Sequence, residues 1–256
     1  MNALIALALN GFREARRNRV IHLIAGFALG MLLLSPLLAG LAIGSSVERV
    51  LVDMGLAGMS LMLVLLAIFL STSQLGREIE RRTIFMVVSK PVSRATFLLG
   101  RVAGNMITLG VLLVAMALVF WGELAAFGVP MRGQYVVAIA ALGVELLVLT
   151  SVGFAMSSFA GPIASAMVTG GVFLAGHLAG DIYRLAEQSQ SALFSLVAKA
   201  TYYALPNLDR LNLRPHATHL LEVSGASVAF ATLYALAYSG VMLSLAVLFF
   251  SRRDFR

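Results

Sequence analysis

Two long apolar runs, at residues 55–75 and 102–121, enclose a segment in which charged residues are dense. A cluster of charges is too costly to place in the hydrocarbon of a bilayer, where even the backbone must satisfy its own hydrogen bonds. The charged segment therefore lies outside the bilayer, as a connector between two membrane spans. A short charged connector of this kind is where a membrane protein can be moved by a soluble partner.

The composition places the whole chain in the same class. Its 256 residues are 60% hydrophobic and 12% charged, whereas a soluble domain carries about 25% charged residues. The chain is therefore predicted to be an integral membrane protein, with room for about six helical spans of about 20 residues each. The net charge of +7 is interpreted as basic residues at the cytoplasmic ends of spans, and not as a nucleic-acid-binding surface.

The predicted fold is all-α and polytopic, with six transmembrane helices in a single transmembrane domain over residues 1–256. An amphipathic segment precedes the first span, and a short helix lies in the connector between the second and third spans. Apolar residues at helical spacing near 193–200 predict a further helix, on the outer interface between the fifth and sixth spans. The spans are predicted at residues 20–43, 54–74, 101–121, 134–158, 162–181 and 226–250.

The orientation follows from the distribution of lysine and arginine. Thirteen basic residues fall on the side of the two termini and the connector, and six fall on the other side. Because cytoplasmic loops carry the excess of positive charge, both termini and the connector are predicted to be cytoplasmic. The segment at 182–225 is then external.

The connector is predicted to contain an amphipathic helix at residues 77–88. Glu78 and Arg82 are four residues apart, and apolar residues at 84, 85, 87 and 88 form the opposite side. Spacing alone gives equal weight to two interpretations, a helix that docks a soluble partner and a solvated interfacial helix without one. The charged residues of the connector are Glu78, Glu80, Arg81, Arg82, Lys90 and Arg94.

Three polar residues in the spans are candidates for function. Glu145 is the one carboxylate predicted near the middle of a span, with no basic residue predicted at matching depth. Intramembrane acids usually face the bundle interior or a cavity, so Glu145 is either a group that contacts substrate or protons, or a neutral or hydrogen-bonded packing residue. His177 and Asp181, four residues apart, are either a gate pair or an ordinary polar cap at the interface.

The chain carries no recognisable catalytic motif. It lacks a GxxxxGK[ST] phosphate loop, an HExxH motif and a GxSxG elbow, so we expect no catalytic residue, no bound cofactor and no enzymatic activity of its own. The absence of cysteine excludes disulfides and thiolate metal sites. His216 and His219 either share a metal ion or are solvated loop residues, and no metal site is predicted because two ligands alone make a poor one.

Small residues recur at four-residue spacing, as in Gly26 and Gly30 of the first span and Gly171 and Ala175 of the fifth. Such spacing lets helices approach closely. It predicts helix packing within one subunit or, alternatively, contact between two copies of the chain.

The connector also carries a family resemblance. The run Glu80-Arg81-Arg82-Thr83-Ile84, followed by Ser89-Lys90-Pro91-Val92-Ser93-Arg94 and Gly100-Arg101, resembles the E-x-x-T-I … S-K-P-[VI]-x-R … G-K pattern of permease subunits of ABC transporters of the type-2 export class. Arg101 stands where that family often has lysine. Segments at 12–19, 202–209 and 250–255 resemble, in order, the family's N-terminal, external and C-terminal segments.

The resemblance implies the membrane-spanning permease subunit of an ATP-driven exporter in the bacterial inner membrane. It implies pairing with a second permease copy, as a homodimer, or with a related permease, and with a separate ABC ATPase that holds ATP and Mg²⁺. The connector would be the coupling helix seated on that ATPase, with the six charged residues named above as its contacts. Glu145, His177 and Asp181 would be candidates for the translocation path.

Two other functions stay open from the sequence. The chain is alternatively a membrane anchor or assembly protein for a periplasmic maturation complex, with a periplasmic protein as its partner and no ATPase. It is alternatively an ion-coupled secondary transporter centred on Glu145. The latter predicts inverted repeats and broken helices near the midplane, and the sequence shows neither clearly.

Overall fold

The computed structural model describes residues 20–41, 46–80, 93–189 and 191–252. This part of the chain is built of helices and contains no strand. Its α-helices are α1 (Val20–Leu41), α2 (Ser46–Glu80), α3 (Arg94–Ala126), α4 (Gly133–Ser157), α5 (Pro162–His177), α6 (Ala179–Gln188), α7 (Ala192–Ala204), α8 (Arg214–Thr218) and α9 (Gly225–Arg252), with a 3-10 helix (Asp209–Leu211) between α7 and α8.

Four of these helices, α2, α3, α4 and α9, are long and apolar enough to cross a membrane. The pair α5 and α6 meets the same criterion as one span bent by 61°. The apolar part of α1, Ile24–Leu37, is shorter. An all-helical, multi-pass membrane protein is therefore confirmed, with four or five spans among the described residues, and the count of six stays a prediction.

The helices α2 and α3 are longer than the predicted spans at 54–74 and 101–121. They contain 35 and 33 residues, so each is about 50 Å long at about 1.5 Å per residue. A hydrocarbon core is about 30 Å thick. The predicted boundaries stopped where the apolar run ended, but a helix continues into charged sequence as long as no residue breaks its hydrogen-bond ladder.

The helix α4 lies at the centre of the bundle, in contact with α2, α3, α5 and α9. In its apolar stretch 67% of the residues are buried, against 22% for α9. Leucines of the outer helices face away from the protein, as Leu32 (68% exposed) and Leu61 (61% exposed) show. A polar group on α4 is therefore shielded from lipid by the helices around it.

A glycine lets α2 and α4 approach closely. Gly153 on α4 lies so near the Ser71 side chain of α2 that a Cβ at this position would overlap the hydroxyl. One turn further on, Ser157 Oγ donates a hydrogen bond to the Ser71 carbonyl at 3.2 Å. These contacts join the two helices near the end from which α2 continues towards the connector.

The predicted fifth span, at 162–181, is interrupted, which corrects the prediction. Helix α5 begins at Pro162, as expected for proline in a first turn, but ends at His177. In a continuous helix the Gly176 carbonyl would accept from the amide of residue 180. It accepts instead from the Leu208 amide at 3.1 Å. The diverted bond accompanies the break at Leu178, so this chain does contain a broken helix.

The segment between α6 and α9 is also helical. Helix α7 confirms the helix predicted near 193–200, and it ends at Ala204, just before Pro206. The 3-10 helix and α8 then fold back over the bundle, where α8 contacts α2 and α4. The predicted N-terminal amphipathic segment lies outside the described residues.

Candidate functional site

Glu145 lies inside the bundle on α4, and its residue is only 3% exposed. It lines a small cavity together with Ser60 of α2 and with Asn212 and Arg214. The last two belong to the segment at 182–225, which is predicted to be external and is named the external segment for that reason. The Oε1 atom of Glu145 has no hydrogen-bond partner among the described residues. Helix α4 thus holds a carboxyl group facing a cavity, away from lipid, as intramembrane acids usually are.

His177 supplies the basic group that the sequence did not place near Glu145. Its Nε2 atom is 3.5 Å from Glu145 Oε1, which is longer than a good hydrogen bond. Its Nδ1 atom lies 3.1 Å from the Phe173 carbonyl, and the ring lies against the Phe173 ring with centroids 4.6 Å apart. The expectation that no basic group is near Glu145 was wrong, because α5 ends with His177 turned towards α4.

The external segment covers this pair. A Cβ added at Gly176 would meet the Pro206 carbonyl at 2.7 Å and the Leu208 side chain at 2.9 Å. The segment therefore packs directly against the end of α5. Arg214, at the start of α8, shares the small cavity with Glu145. An acid, a histidine and an arginine from three elements therefore meet where the external segment rests on the bundle.

Asp181 does not join this group. It follows the break at Leu178 and lies on α6, where its carboxylate is 3.8 Å from the Arg184 guanidinium and both side chains are exposed. The described partners of His177 are Glu145 and Phe173. The structure therefore brings together two of the three residues predicted for a path, and the i, i+4 pairing of His177 with Asp181 is lost because the helix breaks between them.

The predicted coupling residues fall mostly at the edge of the described chain. Glu78 and Glu80 belong to the last turn of α2. Arg81, Arg82 and Lys90 lie outside the described residues, and their role in coupling stays a prediction.

Arg94, the sixth of these residues, opens α3 and donates hydrogen bonds to the carbonyls of Ser251 at 2.9 Å and Phe250 at 3.5 Å. A cation is favourable at these last carbonyls of α9, where the helix dipole is negative. Beside it, the ring of Phe97 on α3 stacks on the ring of Phe250, with centroids 6.1 Å apart. The start of α3 is therefore fastened to the end of α9.

A charged contact at the opposite end of the bundle was not predicted. Arg132 Nε is 2.8 Å from Glu48 Oε1, and the Tyr135 hydroxyl donates to the same oxygen at 2.6 Å. The Glu48 carboxylate raises the pKa of the Arg132 guanidinium, chiefly through this hydrogen bond. Opposite charges at the same end of two adjacent helices were the signal in the sequence. The contact joins the start of α2 to the start of α4.

Glu123 is a second buried acid that the sequence reading missed. It lies beyond the predicted third span at 101–121, because α3 continues for more than one turn past residue 121, to Ala126. It is 9% exposed, and neither carboxyl oxygen has a hydrogen-bond partner among the described residues. Glu145 is therefore not the one acid inside the bundle.

The small residues at helical spacing differ in what surrounds them among the described residues. A Cβ added at Gly26, Gly30 or Gly171 would meet nothing within 4 Å in the described part of the chain. Packing within one subunit and contact between two copies therefore both stay open as interpretations at these three positions. Close packing occurs instead at Gly153 and Gly176, which meet Ser71 and the Pro206 carbonyl.

These features define a multi-pass α-helical membrane protein with a buried acid beside a half-buried histidine and with long helices leading to a charged connector. A family model described as ABC-2 family transporter protein matches residues 5–255, nearly the whole chain. The chain belongs to this family and is an ABC-2 type permease. The family implies a membrane location and an ABC ATPase as partner. A comparison with curated proteins gave no match.

Proposed function

We propose that the chain is the permease subunit of an ATP-driven exporter in the bacterial inner membrane, with both termini cytoplasmic. ATP and Mg²⁺ are held by the partner ATPase, and this chain contributes no catalytic residue. The match to the ABC-2 family over residues 5–255 is the observation that carries the proposal. The thirteen basic residues on the side of the termini support the orientation.

The lengths of α2 and α3 support coupling through the connector. In α2 the apolar span ends at Gln74 and the helix continues for six residues to Glu80, which is about 9 Å. Helix α3 begins at Arg94, so the connector is held between two rigid helices. A force on the connector would therefore move helices and not a loose loop.

Contacts within the bundle connect this end to the buried pair. The junction of Ser71 with Gly153 and Ser157 joins α2 to α4, and α4 carries Glu145 to within 3.5 Å of His177. ATP-driven tilting of α2 would move α4 against α5 and so change the contact of the external segment with the bundle. This is coupling by rigid-body movement of packed helices.

We further propose that two copies of the permease pair in the complex, as a homodimer. The open faces at Gly26, Gly30 and Gly171 support this, because small residues let helices of two subunits approach closely. The ATPase would then be present in two copies, one below each connector.

The test is ATP hydrolysis by the reconstituted complex. The chain and its ABC ATPase are purified together, placed in liposomes, and compared with the ATPase alone. We expect a complex with equal numbers of the two subunits, whose Mg²⁺-dependent hydrolysis changes when the permease is present. A permease that purifies alone from its native membrane, and that leaves ATP hydrolysis unchanged when added back, would contradict the proposal.

A further inference from the structure

A cavity of about 260 Å³ lies between α1 and α3, away from the Glu145 and His177 pair. Its walls are mostly apolar, and Leu32 and Phe127 at its edge are 68% and 39% exposed. The cavity is therefore open sideways, towards the region that lipid occupies. Its lining residues include Met31, Leu32 and Pro36 of α1 and Val119, Gly122 and Glu123 of α3.

A carboxyl group in the wall of this apolar cavity, that of Glu123, has no hydrogen-bond partner among the described residues. Glu123 is 9% exposed, and Ser35 on α1 is fully buried. The Ser35 hydroxyl is within reach of the Glu123 carboxyl, but no well-formed hydrogen bond to either carboxyl oxygen is present among the described residues. Buried polar groups normally find partners, and a carboxylate left alone in an apolar site is very costly.

The protein supplies no cation here among the described residues, since Glu123 takes part in no described ion pair. The gap between α1 and α2, residues 42–45, contains neither lysine nor arginine. A ligand that brings its own positive charge would satisfy the site. An alkylammonium group has three N–H donors, a positive charge and no acceptor, which matches a carboxylate without donors.

We propose that the Glu123 cavity binds an amphipathic ammonium compound. Its ammonium group lies against the Glu123 carboxylate, and its alkyl part lies along Met31, Leu32 and Val119. Such a group comes either from an aminophospholipid of the bilayer or from a soluble amphiphilic amine. Binding in this cavity does not require coupling to an ATPase, so this proposal and the proposed ATP-driven export can fail separately.

The site is tested by two substitutions and a matched control. Glu123→Gln keeps the shape of the side chain and removes its charge. Gly122→Leu fills the cavity and keeps Glu123. Gly110→Leu is the control, because Gly110 is an exposed glycine on the same helix and, like Gly122, would meet nothing within 4 Å when a Cβ is added.

Two measurements are made on the full-length protein in an uncharged detergent. Native mass spectrometry compares the retention of phosphatidylethanolamine with that of phosphatidylglycerol. Thermal unfolding compares n-octylammonium with n-octanol, which has the same chain without the charge. Selective retention of phosphatidylethanolamine identifies a bilayer lipid, and stabilisation by octylammonium alone identifies a soluble amine.

For whichever ammonium ligand binds, we expect the parent and Gly110→Leu to prefer it several-fold over its comparison compound, phosphatidylglycerol or n-octanol. This preference should be lost in Glu123→Gln and in Gly122→Leu. Equal behaviour of parent and Glu123→Gln would overturn the proposal. So would equal behaviour of Gly122→Leu and Gly110→Leu, or the absence of any preference for the ammonium ligands in the parent.

Discussion

Glu145 and His177 lie 3.5 Å apart without a good hydrogen bond between them. Each is held by a different helix, so their separation depends on how α4 and α5 are placed. A small movement of either helix would bring the two groups into direct contact or separate them. At the scale of single residues, such a movement would change an interaction that water screens only weakly, because Glu145 is buried.

The first prediction is that the pair is energetically coupled. Glu145→Gln, His177→Gln and the double variant are compared in a double-mutant cycle of the free energy of unfolding in detergent. We expect a coupling energy of at least about 0.5 kcal/mol, as for other residues in contact. We also expect each single variant to lower transport-linked ATP hydrolysis while the complex still assembles. Additive effects on stability would show that the two groups do not interact.

At the scale of elements, the break between α5 and α6 is the feature that local sequence did not reveal. The break accompanies a contact between residues more than 30 positions apart, in which the Leu208 amide donates a hydrogen bond to the Gly176 carbonyl. Periodicity reports only local preferences, so it predicted one continuous span at 162–181. Local signals did suffice for the start of α5 at Pro162 and for the helix α7 that ends before Pro206.

The second prediction tests whether the external segment packs against α5 at Gly176. Gly176→Ala places a Cβ 2.7 Å from the Pro206 carbonyl, a backbone atom that cannot turn aside. We expect this change to destabilise the protein by about 1–3 kcal/mol, as for other overpacked sites, and to speed proteolysis of the segment between α7 and α9. The measurements are thermal unfolding and limited proteolysis.

Gly170→Ala is the matched control for this prediction. It lies on the same helix, and an added Cβ there would meet nothing within 4 Å. Alanine should then stabilise α5 slightly, by up to about 1 kcal/mol, because glycine is a poor helix former. If the two variants behave alike, the external segment does not rest on Gly176.

At the scale of the whole molecule, one set of packed contacts runs from the part of α2 that leads to the connector as far as the segment between α7 and α9. It passes from α2 to α4 at Gly153, from α4 to α5 at Glu145, and from α5 to the external segment at Gly176. The long apolar runs were enough to predict a helical membrane protein, and the uneven distribution of lysine and arginine between its two sides gave the predicted orientation. The buried groups were harder to predict, because a helix pattern does not say which faces meet, and Glu123 lay just beyond the apolar run.

The central claim is that the connector receives the ATPase. Exposed charge pairs are individually weak, about 0.2–1 kcal/mol each, but like charges facing each other across an interface cost several kcal/mol. The variant Glu80→Arg with Arg82→Glu exchanges two connector charges without changing the net charge. The control exchanges two exposed charges of α6, Arg184→Glu with Glu187→Arg, on the side predicted to be external.

The decisive measurement is the amount of ABC ATPase recovered with each affinity-tagged permease from detergent, alongside the permease's own elution volume. The account predicts that the connector variant elutes as a folded protein but loses most of the ATPase, while the α6 control recovers as much as the parent. Equal recovery of the ATPase by the connector variant and the parent, with equal ATP hydrolysis, would contradict it.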